Sequence, residues 1–296
     1  MTPEAPGTAR QFRCGPVAGS IRPPENARVP ELAEVEYYRK QWDAGLRRRI
    51  HAVQLHAAKR IFRGTDTRAL ARALTGSRLL QSTARGKQMV FRFSGGSWLG
   101  IHLGMSGTLR TERAGFRPEK HDHLVLQQAK HALVFRDPRQ FGRVRFHHGS
   151  GTPEWWSEAA PEITSSAFSA RYVSEFLNRH RRAPIKAVLL LQAGFPGVGN
   201  WMADEILWRA RIAPSTPSGD LSAAQKSAFR RATRFVSREA LRIIGGDNAD
   251  PPVSWLIHYR WKSGGVCPRD GTALSRGTIG GRTTAWCPAC QPDPTR

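Results

Sequence analysis

The apolar residues of this chain change period once, and that change divides it. In the first half they alternate in short runs. Lys87 to Phe93 alternates, Ser94-Gly95-Gly96-Ser97 reverses the chain, and Trp98 to Leu103 returns. That is the pattern of a β-hairpin with one buried face. A second hairpin is expected from His123 to Arg136, with several short strands around the two. One helix precedes them, its predicted face carrying Leu32, Val35, Trp42 and Leu46, with Tyr38 and Arg39 beside it. Beyond about residue 165 the apolar spacing becomes three and four. Phe168 to Arg179, Ile185 to Gln192, Trp201 to Arg211 and Ala223 to Ile244 all carry it, with Gly194-Phe195-Pro196-Gly197 punctuating the series. Strands first and helices afterwards predict an α+β chain with segregated layers rather than a parallel βαβ sheet. The expected units are a Pro-, Gly- and Arg-rich leader (1–29) that reads as disordered, a β-rich domain (30–150), a helical domain (165–246) and a short basic, Gly-rich tail (254–296).

Charge narrows the partners. Lys and Arg number 46 against 23 acidic residues, a formal net charge of +23. Such an excess attracts polyanions and releases their counterions, which points to nucleic acid. An Arg-rich genome would produce the same bias without a partner. An anionic membrane surface is the weaker reading, because no basic helix with a clean apolar face stands out. No run of eighteen apolar residues predicts a membrane span, and no apolar segment at the N-terminus predicts secretion, so a cytoplasmic, nucleoid-associated protein is expected. Of four cysteines, Cys14 stands alone, whereas Cys267, Cys287 and Cys290 cluster near the end. Clustered thiols in such a chain read as metal ligands before disulfides.

Several short segments carry chemistry. The tail reads Cys267-x2-Asp270, sixteen residues, then Cys287-x2-Cys290. With a thiol at 270 this would be a four-thiolate zinc hairpin; the carboxylate of Asp270 can also ligate zinc, and a hairpin held without metal by Trp286 and Ile279 is the alternative. Between its arms Gly280-Gly281-Arg282 presents an Arg suited to a phosphate or a groove. Gly197-Val198-Gly199-Asn200-Trp201 opens a helix, with Asn200 able to cap it and free N–H groups able to attract phosphate. Arg181 and Lys186 lie just upstream, either aimed at the same anion or part of a solvated basic face. Met105, Arg139 and Phe141 lie in two turn segments, His102 to Gly107 and Asp137 to Gly142. Exposed, they are wedge types that unstack bases; otherwise Met105 and Phe141 are core residues. His121 and His123 could be core, metal or phosphate-binding.

These pieces occur together and in order. Pro30-Glu31-Leu32-Ala33-Glu34-Val35-Glu36, the Gly86-Lys87 strand, His102 to Gly107, Lys120 to His123, Asp137 to Gly142, Gly197 to Ile212 and Arg282 to Gln291 resemble the formamidopyrimidine-DNA glycosylase (Fpg/Nei) family, most specifically in NWMADEILWRARIAP from Asn200 to Pro214. The resemblance implies an N-terminal β-sandwich flanked by helices, a helix-two-turn-helix module and a zinc or zincless C-terminal hairpin, with double-stranded DNA in the cleft between the halves. It implies a base-excision-repair glycosylase with abasic-site lyase activity, acting as a monomer. Pro30 would be the nucleophile, Glu31 the acid/base beside the sugar, and Lys87 the phosphate partner that assists the lyase step. Arg282 would grip the phosphates flanking the lesion. His121, Arg181, Lys186 and Asn200 would contact phosphates, and Met105, Arg139 and Phe141 would fill the space left by the flipped nucleotide. Glu34 would be structural support. A non-catalytic reader of damaged or kinked DNA and a basic DNA-packaging protein are the rival readings.

Three departures from the family pattern stand out. Pro30 is internal, preceded by Val29, although its role needs a free secondary amine; the expectation is that Val29 is the true start, the alternatives being a real leader that must be cleaved or an inactive protein. Asp270 occupies the place of a zinc thiolate. The segment Gly245 to Pro252 runs almost directly into Ser254-Trp255-Leu256, a shortened form of the long Gly-rich insert of 8-oxoguanine enzymes. The family activity covers formamidopyrimidine and 8-oxoguanine types or oxidised pyrimidines; the short insert argues against 8-oxoguanine capping and leaves formamidopyrimidines or oxidised pyrimidines as the substrates to expect. Ala33, where the family has Pro, is a minor change.

Overall fold

A computed structural model describes residues 29–293; the leader expected over 1–29, Cys14 included, lies outside the described residues except for Val29. In chain order the elements are α1 (Leu32–Lys40), β1 (Ile50–Leu55), α2 (Thr67–Leu74), β2 (Leu79–Arg85), β3 (Gln88–Phe93), β4 (Ser97–His102), β5 (Thr108–Arg113), β6 (Asp122–Gln128), β7 (His131–Arg136), β8 (Arg143–His148), α3 (Glu154–Ser157), α4 (Ala170–Arg179), α5 (Ile185–Leu189), α6 (Asn200–Ala210), α7 (Ala223–Asp247), β9 (Ser275–Ile279) and β10 (Arg282–Trp286). Two antiparallel four-stranded sheets, ordered β1-β6-β7-β5 and β2-β3-β4-β8, form the first half. Their inner faces close on one core that includes Ile50, Phe91, Phe93, Leu99, Ile101, Leu126, Leu133, Phe135 and Val144, all buried. This is a β-sandwich, in which alternate residues of each strand enter the core.

The first helix is shorter than its apolar pattern predicts. It ends at Lys40, and the chain turns through Asp43–Gly45 to deliver Trp42 into the sandwich, where its indole Nε1 donates to Val134 O at 3.3 Å. The turn lies so close to β7 that a Cβ on Gly45 would stand 2.7 Å from Leu133 Cδ1. Trp42 is thus buried as expected, but by a turn and not by a continuous helix.

A second core joins α4, α5, α6 and α7 through Phe176, Ile185, Phe195, Ile206, Phe229 and Val236. The longest helix, α7, opens on a capping box in which Ser222 Oγ accepts from Gln225 N and Gln225 Oε1 accepts from Ser222 N. It ends at Asn248, whose φ of 55° breaks the helix. Near that end α7 packs on α1, with a Cβ on Gly245 only 3.4 Å from Ala33 O. The third unit is the β9–β10 hairpin, turned by Gly280 and Gly281 at φ of 59° and 71°. Two positive φ values in a two-residue loop are what a type I′ turn demands. Among the described residues no helix is long and apolar enough to cross a membrane.

Candidate active site and DNA-facing surface

Glu31 joins the two halves of the molecule. It immediately precedes α1, and its carboxylate accepts backbone N–H groups from Gly199 (2.9 Å), Trp201 (3.0 Å) and Met202 (3.1 Å) at the start of α6. Those are the orphan donors that every helix start exposes, and the helix dipole favours an anion there. Asn200 therefore does not cap α6, and the N–H groups expected to attract phosphate are already occupied by Glu31. The fit is tight: a Cβ on Gly199 would lie 2.3 Å from Glu31 Cδ. Leu32 N donates to Gly197 O at 2.9 Å, which ties α1 to the same loop. Burial pushes the Glu31 carboxyl up to about 7, against the pull of Lys87 and of the Trp201 and Met202 amides. Lys87, at the β2–β3 turn, is lowered by burial and by Arg282, while Glu31 and Glu34 oppose that shift. Glu31, Lys87 and Arg282 thus share one electrostatic neighbourhood.

Pro30 is buried beside this junction and lines a 370 Å³ cleft. The walls are Glu34, Tyr37 and Tyr38 of α1, the segment from Met105 to Arg110, and Asn248 to Pro251 beyond α7. Met105 and Phe141 are 38% and 42% exposed, so neither is a core residue. Arg139 is exposed too, its guanidinium carbon 4.8 Å from the Phe141 ring centre. Buried Asp137, which no sequence signal singled out, locks the two loops together. It accepts from Ser106 Oγ at 2.6 Å and from Gly142 N at 2.7 Å. Gly104 completes the joint: its φ is 66°, and a Cβ there would meet Phe141 C at 2.4 Å.

The remaining expected contacts divide. Arg181 and Arg282 are exposed, and His121 is half-buried. His123 is buried, sharing a 3.2 Å contact with His56 Nδ1 and another of 3.0 Å with Asp137 O, so it serves the sandwich. Lys186 overturns its expected role as a phosphate ligand. Its side chain is wholly buried, with the ammonium on Asp204 and donating to Asn200 O at 2.9 Å. Asp204 also takes Arg260 Nε at 2.8 Å and Ala285 N at 3.2 Å, so it pins the hairpin to α6. Asn200 adds a second pin, Nδ2 donating to Thr283 O at 2.9 Å, and its Oδ1 is buried without a partner. Glu205, also buried and pushed up to about 7 by burial, accepts from Leu256 N and Arg209 Nε, both at 2.7 Å. Asp204 and Glu205 lie inside the Asn200 to Pro214 motif, but the motif says nothing of these partners, and Arg260 lies outside any motif; the fold reveals the contacts.

Cys267, Asp270, Cys287 and Cys290 come together, with one ligand atom from each lying within 4.8 Å of all the others. Cys267 Sγ and Cys290 Sγ are 3.9 Å apart, and Cys287 Sγ lies 3.7 Å from either Asp270 oxygen. A tetrahedral ion such as zinc, with bonds of about 2.0–2.3 Å, spaces its ligand atoms by about 3.5–3.8 Å. The Cys290–Asp270 contact, at 3.1 Å, is closer. Cys290 N and Trp208 Nε1 point at Cys287 Sγ and Cys267 Sγ, both at 3.3 Å, as donors to metal-bound thiolates do. The four residues fit a metal, and they form the one such group among the described residues; His121 and His123 belong to none.

Comparison with known proteins agrees with this geometry. Residues 29–144 match the formamidopyrimidine-DNA glycosylase N-terminal domain and residues 159–249 the H2TH domain of the same enzymes. Formamidopyrimidine-DNA glycosylase of Roseiflexus sp. is 36% identical over 228 residues, covering 74% of this chain and 83% of the relative. The Geotalea daltonii enzyme is 33% identical over 275 residues, covering 89% and 100%. A Lactococcus lactis Fpg bound to tetrahydrofuran-containing DNA and an inhibitor superposes with a TM-score of 0.80 at 27% identity, and one bound to Fapy-dG DNA with 0.79 at 27%, each covering 89% of this chain and all of the other. The chain belongs to the formamidopyrimidine-DNA glycosylase family.

Proposed function

We propose that this base-excision-repair glycosylase removes an oxidised base through Pro30 and then cuts the strand by elimination. The observation that carries the reading is the Pro30–Glu31 corner: a proline lining a cleft, followed by a buried carboxyl that titrates near neutrality. A secondary α-amine has a pKa near ~8, so much of it is neutral and nucleophilic at working pH. Attack of that nitrogen on C1′ expels the base, and opening of the sugar ring at the C1′–O4′ bond, with a proton delivered to O4′, leaves an iminium. The cation acidifies the C2′ proton, and its loss breaks the bond to the 3′ phosphate. Glu31 holds or releases protons near pH 7, which suits general acid–base work. Lys87 and Arg282 meet the phosphates flanking the reacting sugar, and exposed Met105, Arg139 and Phe141 fill the gap in the duplex. His121, Arg181 and Asn200 extend the phosphate track, and the protein acts on double-stranded DNA as a monomer.

The amine exists only when no residue precedes Pro30, so the active form is one in which Pro30 is the first residue. The short 248–251 wall of the cleft favours formamidopyrimidines or oxidised pyrimidines over a capped 8-oxoguanine. Cys267, Asp270, Cys287 and Cys290 would hold zinc. When bound it supplies no chemistry to the reaction; it stiffens the hairpin that presents Arg282.

The test is borohydride trapping on a duplex with one abasic site. A form starting at residue 29 with Val29→Met, whose Met is removed, is expected to trap covalently. The same form with one extra glycine before Pro30 is expected not to trap. Trapping by both would move the nucleophile to a lysine. Trapping by neither, with tight binding to the same DNA, would favour a non-catalytic reader of damaged DNA.

A further inference from the structure

On the outer face of the β2-β3-β4-β8 sheet, Arg63, Gln88, Gly100, His102, Phe141, Arg143 and Arg145 enclose a 240 Å³ cleft. Three of those side chains are guanidiniums. The ion pairs of this domain engage other arginines, such as Arg85 with Glu162, Arg110 with Asp122 and Arg136 with Glu119. Among the described residues none joins Arg63, Arg143 or Arg145 to a carboxylate. Gathering like charges without a counterion is unfavourable, and Arg63 and Arg145 are each lowered by burial and by the neighbouring arginines. Yet the cluster is held in place. Arg63 Nη1 donates to Gly142 O at 2.8 Å, and Arg145 lies 5.7 Å from the Trp155 ring centre. Arg143 Nε is buried with no partner at all. His102 accepts from Gly104 N through Nδ1 at 3.0 Å, which leaves its Nε2 as the proton-bearing nitrogen. Burial drops His102 to about 4, so it stays neutral and retains that N–H donor.

The cleft borders the proposed DNA-facing surface. Phe141 is at once one of its walls and an exposed tip of the wedge. Gln88 directly follows Lys87 and pairs in register with His102. A site of converging guanidiniums, one unmet N–H and one neutral N–H donor matches the charge and oxygen geometry of a phosphoryl group. We propose that Arg63, Arg143 and Arg145 form an additional phosphoryl-group pocket that extends the DNA track past Lys87 and Phe141. This rests on the reading of the chain as a DNA-binding glycosylase. The phosphoryl group is either a phosphodiester of a continuous strand or the terminal phosphate at a nick.

The test measures affinity of the full chain for a duplex with one stable abasic analogue between 50 and 200 mM salt. Each phosphate contact contributes about 0.9 to the slope of log K against log salt, so losing one flattens the fourfold salt response by about 3.5-fold. Arg143→Gln and Arg145→Gln are each expected to weaken binding at low salt and reduce the slope by about 1. Arg145→Lys is expected to keep the slope, and Arg63→Gln, on a different element, to repeat the loss without touching the sheet. If the effect appears on the continuous duplex, the ligand is a phosphodiester. If it is confined to a nicked duplex and needs a 5′-phosphate rather than a 5′-hydroxyl, the ligand is a terminal phosphate. Wild-type affinity and slope in all three Gln variants, on both DNAs, would overturn the pocket while leaving the glycosylase reading intact. Wild-type protein whose binding ignores salt would overturn that reading, and the pocket with it.

Discussion

Substituting Glu205→Gln should make the stability of this protein less sensitive to pH, with a crossover in sign. Glu205 is wholly buried, and burial raises it from 4.5 to about 7, against Arg209 and the backbone amides of Leu256 and Ile257. Between those two pH values the folded state holds a proton that the unfolded chain has released. The folded state binds more protons there, so stability falls as pH rises from about 4.5 to about 7, and the loss is complete above 7. At about 1.4 kcal/mol per pKa unit the loss from this one group is about 3 kcal/mol. Gln removes that dependence, but its NH2 can accept nothing. One of the two donors at 2.7 Å, Leu256 N or Arg209 Nε, then faces a group without a lone pair. A buried donor left unmet costs about 1–3 kcal/mol at every pH. The variant should therefore be less stable than wild type at pH 5 and about equal to it, or more stable, at pH 8. Denaturant unfolding followed by tryptophan fluorescence at pH 5, 6, 7 and 8 reads the difference directly. A variant-minus-wild-type difference that stays constant across that range refutes the reasoning, because it would mean that Glu205 does not titrate between the two states.

Four further outcomes are expected. Lys186→Met removes one of the two buried cations on Asp204, leaving Arg260 in place, and strips Asn200 O of its donor; it should destabilise by about 1–3 kcal/mol, seen as a lower melting temperature, while the salt slope of DNA binding stays at the wild-type value. Gly199→Ala drives a methyl to within 2.3 Å of Glu31 Cδ, so it should abolish base excision in a single-turnover assay while circular dichroism still reports a folded chain. Phe141→Ala, at an exposed tip, should change stability by less than about 0.5 kcal/mol yet narrow the preference for abasic-site over intact duplex in a competition assay. Cys287→Ser should lower bound zinc, measured by elemental analysis, and make unfolding insensitive to chelator; Asp270→Cys should tighten the metal.

The α+β class and its order were legible in the sequence because they follow from local periodicity. The alternation through β3 and β4 and the three-and-four spacing through α4, α6 and α7 are properties of neighbouring residues. The same holds for the Cys267–Cys290 cluster, whose spacing announces a ligand set before any fold is known. The first helix misled, since Trp42 and Leu46 continue its apolar stripe. A turn packed against Leu133 keeps Trp42 buried after the helix has stopped.

A basic, two-part chain with an ordered set of family motifs can be read from residue order, because these are local patterns of residue type. Which side chain meets which charge emerges with the fold. Lys186 looked like a phosphate ligand until the fold buried it on Asp204. Asn200 looked like the cap of α6 until Glu31, 168 residues from Gly199, took those N–H groups instead. Arg63 and the pair Arg143 and Arg145 are unremarkable in a chain with 46 basic residues, until β8 and the turn after β1 bring them around one cleft. The physical reason is common to all three. Burial and Coulomb energy depend on distances in space, and a sequence states distances along the chain alone.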